Sequence, residues 1–243
     1  GRMTNNPYDI EVSIRLFAAN DPAGAMLAWH GWVMSSRQSY EQETLPLPNS
    51  HIGFVPERSD ASLELDDRLG FHLNSQWTWH GKAKVLLGYY DNQGDPTVVE
   101  NVQWAWLTRF VHLGAKWRLS DGLELIGQYL AGDTLMQSSS GTRDLVNNDY
   151  QSQYLMLSKA WSPHRLNLRI ESSSVTDKDD IGFDDNHEKV HGVTLSYGYR
   201  INKHLFWHAE FNWLDSTRPS RANHQRPADL TEQQLQLGGR YWF

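Results

Sequence analysis

Over residues 231–243, T-E-Q-Q-L-Q-L-G-G-R-Y-W-F, the side chains alternate with period two. Leu235, Leu237, Gly239, Tyr241 and Phe243 fall on one face, and Glu232, Gln234, Gln236, Arg240 and Trp242 on the other. Successive side chains of a strand leave opposite faces of its pleat, so this pattern predicts a long strand with one apolar side. The same alternation predicts strands over 8–19, 25–35, 69–79, 82–90, 102–119, 123–132, 150–161, 165–174, 191–200 and 204–214. The first of these is the clearest, with Ile10, Val12, Ile14 and Leu16 set against Glu11, Ser13 and Arg15. The alternation in 102–119 breaks near Arg109, which predicts a bulge.

The connections between these strands differ in length in a regular way. Tight turns fall at Asn20-Asp21-Pro22-Ala23-Gly24, His80-Gly81, Ser120-Asp121-Gly122, Ser162-Pro163-His164 and Ile201-Asn202-Lys203. Long polar loops fall near 50, 96, 140, 181 and 222, and Pro46, Pro48 and Pro56 forbid ladder pairing in the first of them. Short connections at one end and long ones at the other, repeated through five hairpins, are the pattern of an outer-membrane barrel and not of a soluble sandwich.

The chain end resembles that of bacterial outer-membrane β-barrels, whose final strand ends in Phe after alternating apolar residues. The resemblance implies that Tyr241 and Phe243 belong to the signal read by the barrel assembly machinery. The expected fold class is all-β: an antiparallel up-and-down transmembrane β-barrel of about 12 strands, or the C-terminal part of a larger one. The chain is expected to be one barrel domain over 1–243, placed in the bacterial outer membrane with the lipid bilayer as its partner. Eleven predicted strands, with Phe243 on the periplasmic side, would start the first strand outside. Single-chain barrels have even strand numbers, so either at least one N-terminal strand is missing, the more economical expectation, or residues 36–66 hide a further strand.

Composition agrees with this class. Eleven Trp and ten Tyr suit rings placed at a membrane-water boundary. Zero Cys excludes disulfides, thiolate chemistry and Cys-bound zinc. No apolar run approaches the ~18 residues of a transmembrane helix, and Gly1-Arg2-Met3 begins no signal peptide. A net charge of -7 without concentrated Lys and Arg makes nucleic acid an unsuitable partner.

If the apolar faces meet lipid, the opposite faces line a lumen. The candidate pore-lining residues are Arg15, Lys82, Lys84, Lys116, Arg118, Arg165, Arg169, Arg200, Glu210 and Arg240, most of the basic ones near tight turns. The acidic residues concentrate in the long loops, which predicts a cationic periplasmic end and an anionic extracellular rim. Residues 106–119, W-L-T-R-F-V-H-L-G-A-K-W-R-L, and 127–134, G-Q-Y-L-A-G-D-T, are similar to the C-terminal part of phosphate-selective-type porins. That similarity implies a porin-like channel for passive diffusion of small hydrophilic solutes, and rings of Lys and Arg give it an anion preference. The same lumen side chains can instead pair with one another and close a plugged barrel.

A barrel-embedded enzyme of lipase or protease type, or a plugged structural or receptor barrel, is the alternative. There is no G-x-S-x-G, and the one H-E-x-x-H spacing, His187-Glu188-Lys189-Val190-His191, reads as strand and not as a zinc helix, so the expectation is no enzyme, no cofactor and no metal. His187 and His191 lie at i and i+4, about 13 Å apart in a strand and too far for one ion. The acidic run Asp177, Asp179, Asp180, Asp184 and Asp185 lacks EF-hand spacing and reads as a solvated loop.

Overall fold

The alternation is realised as a meander of long strands. A computed structural model describes residues 7–32, 60, 62–182 and 184–243. Strands β1 (Tyr8–Phe17), β2 (Gly70–Trp79) and β3 (Ala83–Asp91) are followed by a small hairpin, β4 (Val99–Glu100) and β5 (Gln103–Trp104). Then come β6 (Leu107–Ser120), β7 (Leu123–Gln137), β8 (Asp144–Trp161), β9 (His164–Asp177), β10 (Glu188–Arg200), β11 (Leu205–Thr217) and β12 (Asp229–Tyr241). All except β4 and β5 join one ten-stranded sheet, each strand antiparallel to the next in chain order.

The register carries the apolar face from strand to strand. Ile14 stands opposite Leu73, Leu73 opposite Tyr89, and Tyr89 opposite Val111. Farther round, Leu155 stands opposite Ile170, Leu168 opposite Leu195, Leu195 opposite Phe211, and Phe211 opposite Leu235. This face is exposed: Val12 is 70% and Leu235 69% accessible. So much contiguous bare Leu, Val and Ile has hydrocarbon as its natural solvent. Tyr8, Trp79, Trp117, Trp161, Tyr199, Trp207 and Tyr241 stand on the same face at the turn end, all accessible. Amphipathic rings collect at that depth because one edge prefers lipid and the other water.

Four expectations about elements are corrected. Residues 25–32 of the strand expected over 25–35 form no strand. Asp21–Ala23 is a 3-10 turn and Gly24–His30 an α-helix, α1, while 33–35 lie outside the described residues, as do 36–59. The buried residues of α1, Ala25, Ala28 and Trp29, are spaced i, i+3, i+4, a helical period that a two-residue reading misses. The partner of β1 is therefore β2; among the described residues the chain has twelve strands, in keeping with the expected fold class, ten of them in the one sheet.

The second correction follows from the first. His80 N–H donates to the Pro7 carbonyl and Trp242 N–H to that of His204, so Tyr8 starts at the turn end, the same end of the strands at which the chain reaches Phe243. The first strand does not start at the loop end. Third, the register shift in β6 lies between Arg118 and Ser120, beside the turn and away from Arg109. Fourth, the loop expected over 133–149 shrinks to 138–143, because β7 and β8 continue as a polar ladder beyond the apolar band. Pattern alone ends a strand where lipid contact ends, but hydrogen bonding does not stop there.

Candidate functional site in the barrel interior

Residues 20–32 leave β1 at the loop end and turn back against the inner face of the sheet. Gly24 touches the inner-face pair Thr108 and Thr134, whose hydroxyl oxygens are 2.9 Å apart. A Cβ at position 24 would lie 2.2 Å from Thr134 Oγ1 and 2.6 Å from Thr108 Oγ1, so only glycine permits this approach. Ala25, Ala28 and Trp29 then pack with Trp104, Trp106, Met136 and Val146. Trp29 meets Trp106 edge to face, centroids 5.4 Å apart. Of these, Met136 and Val146 each contribute about 2 kcal/mol by leaving water, and each alanine less than half of that.

Polar groups clamp the far end of this segment. Arg218 Nη2 donates to the Ala28 carbonyl at 2.6 Å and to Asn186 Oδ1 at 2.9 Å. Glu188 Oε2 accepts the Trp32 N–H at 2.6 Å, and Trp32 Nε1 donates to the Ser174 carbonyl at 3.0 Å. Arg218 and Arg221 lie 3.7 and 3.6 Å from the Glu188 carboxylate, whose side chain is fully buried. Burial pushes the Arg218 guanidinium below its ordinary value, and Glu188 and Asp184 pull it back. Tyr90 Oη donates to Asn20 Oδ1 at 2.7 Å and so ties the near end of the segment to β3.

The neighbouring inner wall is aromatic and imidazole-rich. Phe17, Tyr90 and Phe110 form a stack, centroids 5.1 and 4.6 Å apart and nearly parallel. Next to it His72 Nε2 and His112 Nε2 meet at 3.0 Å, and the Asn74 amide lies 3.3 Å from His72 Nδ1.

The residues expected to line a pore are placed as follows. Arg15 stands opposite His72, and Lys84 opposite Lys116 on the inner face. Lys116 Nζ lies 2.9 Å from Glu124 Oε1, and Arg118 stands opposite that same glutamate. Arg165 donates to Ser158 Oγ at 3.3 Å. Arg169 is ion-paired with Glu171 and covers the Tyr154 ring at 5.4 Å. Glu210 Oε1 accepts from Asn212 at 3.1 Å. Arg200 and Arg240 both face Phe206 in the register, with Arg240 5.9 Å from the Trp242 ring. Lys82 belongs to the turn, its ammonium 5.8 Å from Trp117 on the lipid side. Tyr241 is on the outer face, and Phe243 is fully exposed.

The loop end gathers carboxylates. Asp21, Glu64 and Asp66 bring one oxygen each within 4.8 Å of one another, a grouping that sequence distance hides. In the acidic run, Asp177 accepts the N–H groups of Asp179 and Asn186, and Asp179 accepts that of Ile181 at 2.9 Å. Burial pushes the Asp179 carboxyl up to about 7, with Asp177 adding to the rise. These aspartates organise the loop, so the reading of a merely solvated run is corrected. His112 and Asp21 were not singled out by sequence. His112 shares the parity of Phe110 and so was legible; Asp21 was masked by its turn-like neighbours.

No protein family and no curated protein matches the sequence. Among solved structures the fold is similar to OmpTΔL8, a loop L8 deletion mutant of OmpT, an outer membrane protein of Vibrio cholerae. The TM-score is 0.53 at 12% identity, over 71% of this chain and 53% of that one. The chain thus spans about half the length of that protein, and the similarity speaks for the fold alone.

Two functional expectations are corrected here. The passive, anion-preferring channel is withdrawn: the comparison supports a barrel and no channel, and among the described residues the expected lining cations are only in part free. Lys116 and Arg169 are paired, Lys82 is outside, and residues 20–32 fold inward. The expectation of no enzyme is withdrawn with it, in favour of the barrel-embedded alternatives weighed beside it. An antiparallel sheet with an apolar outer face, an aromatic girdle and this structural relative identify an outer-membrane β-barrel of the bacterial envelope.

Proposed function

We propose that the chain is a plugged barrel that binds a ligand at its loop end and does not pass solutes freely. The observation that supports this is the clamp on residues 20–32: Arg218, Glu188 and Asn186 hold the segment against the inner wall from the opposite part of the sheet. Its likeness to porin-like chains over 106–119 and 127–134 enters only as barrel architecture. The test is planar-bilayer recording of the purified, folded protein. Wild type is expected to give little stepwise conductance, and Arg218→Ala, checked for retained β circular dichroism, to give clear steps. Large steps in wild type, unchanged by the substitution, would sink the plugged reading.

One observation favours an enzyme as the second reading. Asp179, its carboxyl raised by burial to about 7, stands next to Asp177 in this loop, a paired-carboxyl arrangement of the kind acid-base hydrolysis uses. Assembly is read as beginning from the terminal strand, with Tyr241 and Phe243 as the contacts for the assembly machinery.

A further inference from the structure

We propose that His72 and His112 form a binding site for a divalent transition-metal ion on the inner wall of the barrel. Their Nε2 atoms are 3.0 Å apart, on strands separated by β3. Two imidazole nitrogens each about 2.05 Å from one ion subtend an angle of ~94° at that separation, a feasible cis arrangement at Zn²⁺, Ni²⁺ or Cu²⁺. In the ion's absence one ring donates its Nε2–H to the other; when the ion binds, that ring takes the tautomer with its proton on Nδ1, so both Nε2 lone pairs face the ion and no net proton is lost.

The surroundings suit such an exchange. Asn74 reaches His72 Nδ1 at 3.3 Å. Its amide can turn its oxygen to accept an N–H there, which leaves His72 Nε2 as a lone-pair donor and fixes the ring, as outer ligand partners do. Between Asn74 and His112 in the register stands Gly88. A Cβ there would fall 2.1 Å from His112 Nε2 and 2.7 Å from Asn74 Oδ1, so glycine keeps open the space the ion would take. Arg15, opposite His72, places a positive charge nearby and favours an anion or hydroxide as a further ligand. Water completes the coordination. The site does not depend on whether the lumen is plugged.

The test is calorimetric titration of the folded barrel with ZnCl₂, and EPR with one equivalent of Cu²⁺. One saturable ion per chain is expected, with nitrogen couplings from two imidazoles. His112→Gln and His72→Gln should each weaken binding about 10-fold to 100-fold. Gly88→Ala should do the same while leaving both imidazoles in place, and His204→Gln should change nothing. Binding that survives His112→Gln, or depends on His204, would overturn the assignment. So would the absence of a saturable site in a barrel whose circular dichroism shows it folded.

Discussion

Glu188 is the residue on which most of the interior depends. It has a fully buried side chain, takes the N–H of Trp32, and stands between two arginines. A buried charge is tolerated only when its partners and hydrogen bonds offset the loss of water. Asp179 shows the opposite balance, since burial outweighs its two N–H donors and the carboxyl rises to about 7. A raised carboxyl stabilises the fold fully below its unfolded pKa, and that contribution is lost as pH climbs through the folded value. Between about pH 4 and pH 7 the 178–187 loop should lose stability as pH rises, by less than a fully buried carboxyl would cost it, because Asp179 is only half-buried. Limited proteolysis of the folded barrel should cut that loop faster at pH 8 than at pH 5. A cleavage rate flat across that range, after correction for the protease's own pH profile, would contradict the assignment.

At the scale of a strand, one face answers to lipid and the other to water. Leu155 in the middle of β8 is an outer-face residue, whereas Gln128 in β7 faces inward opposite Tyr154. Leu155→Arg should cost about 2–4 kcal/mol when unfolding is measured in lipid vesicles, and Gln128→Arg within about 0.5 kcal/mol of zero. Equal costs would mean the faces are assigned wrongly. The alternation of Ile10, Val12 and Ile14, or of Leu235 and Leu237, made these faces legible because lipid contact writes itself at every second position. It failed at Ala25, Ala28 and Trp29, where Trp29, His30 and Trp32 imitate a strand while the fold follows a helical period. It also stopped short in β7 and β8, whose loop ends leave the lipid on one face while Thr134, Met136, Val146 and Asn148 on the other are buried under the inward segment, so apolar and polar positions no longer alternate there.

In the whole molecule the two ends have different chemistry. Lys84, Lys116, Arg118, Arg165, Arg200 and Arg240 stand on the inner face toward the short turns, and the carboxylates of Asp21, Glu64 and Asp66 gather at the loop end. That polarity was visible as a distribution along the sequence. Which cations are paired was not, because Lys116 finds Glu124 across a strand pair and Arg169 finds Glu171 two residues along one strand. The His72 and His112 meeting was hidden for the same reason, as it requires β3 between them to present a glycine.

The clamp on residues 20–32 also sets an order in time. The bond from Arg218 to Ala28 spans 190 positions of the chain, and that from Trp32 to Glu188 spans 156. Contacts between near neighbours form early, and contacts that close so long a loop wait for the chain between them to be organised. Helix α1 is made from residues near the start, yet its anchors exist only once β10 and β11 have paired. The earliest part of the interior to be synthesised is therefore the last to be locked, and until then the barrel must assemble around a segment it has not yet taken in.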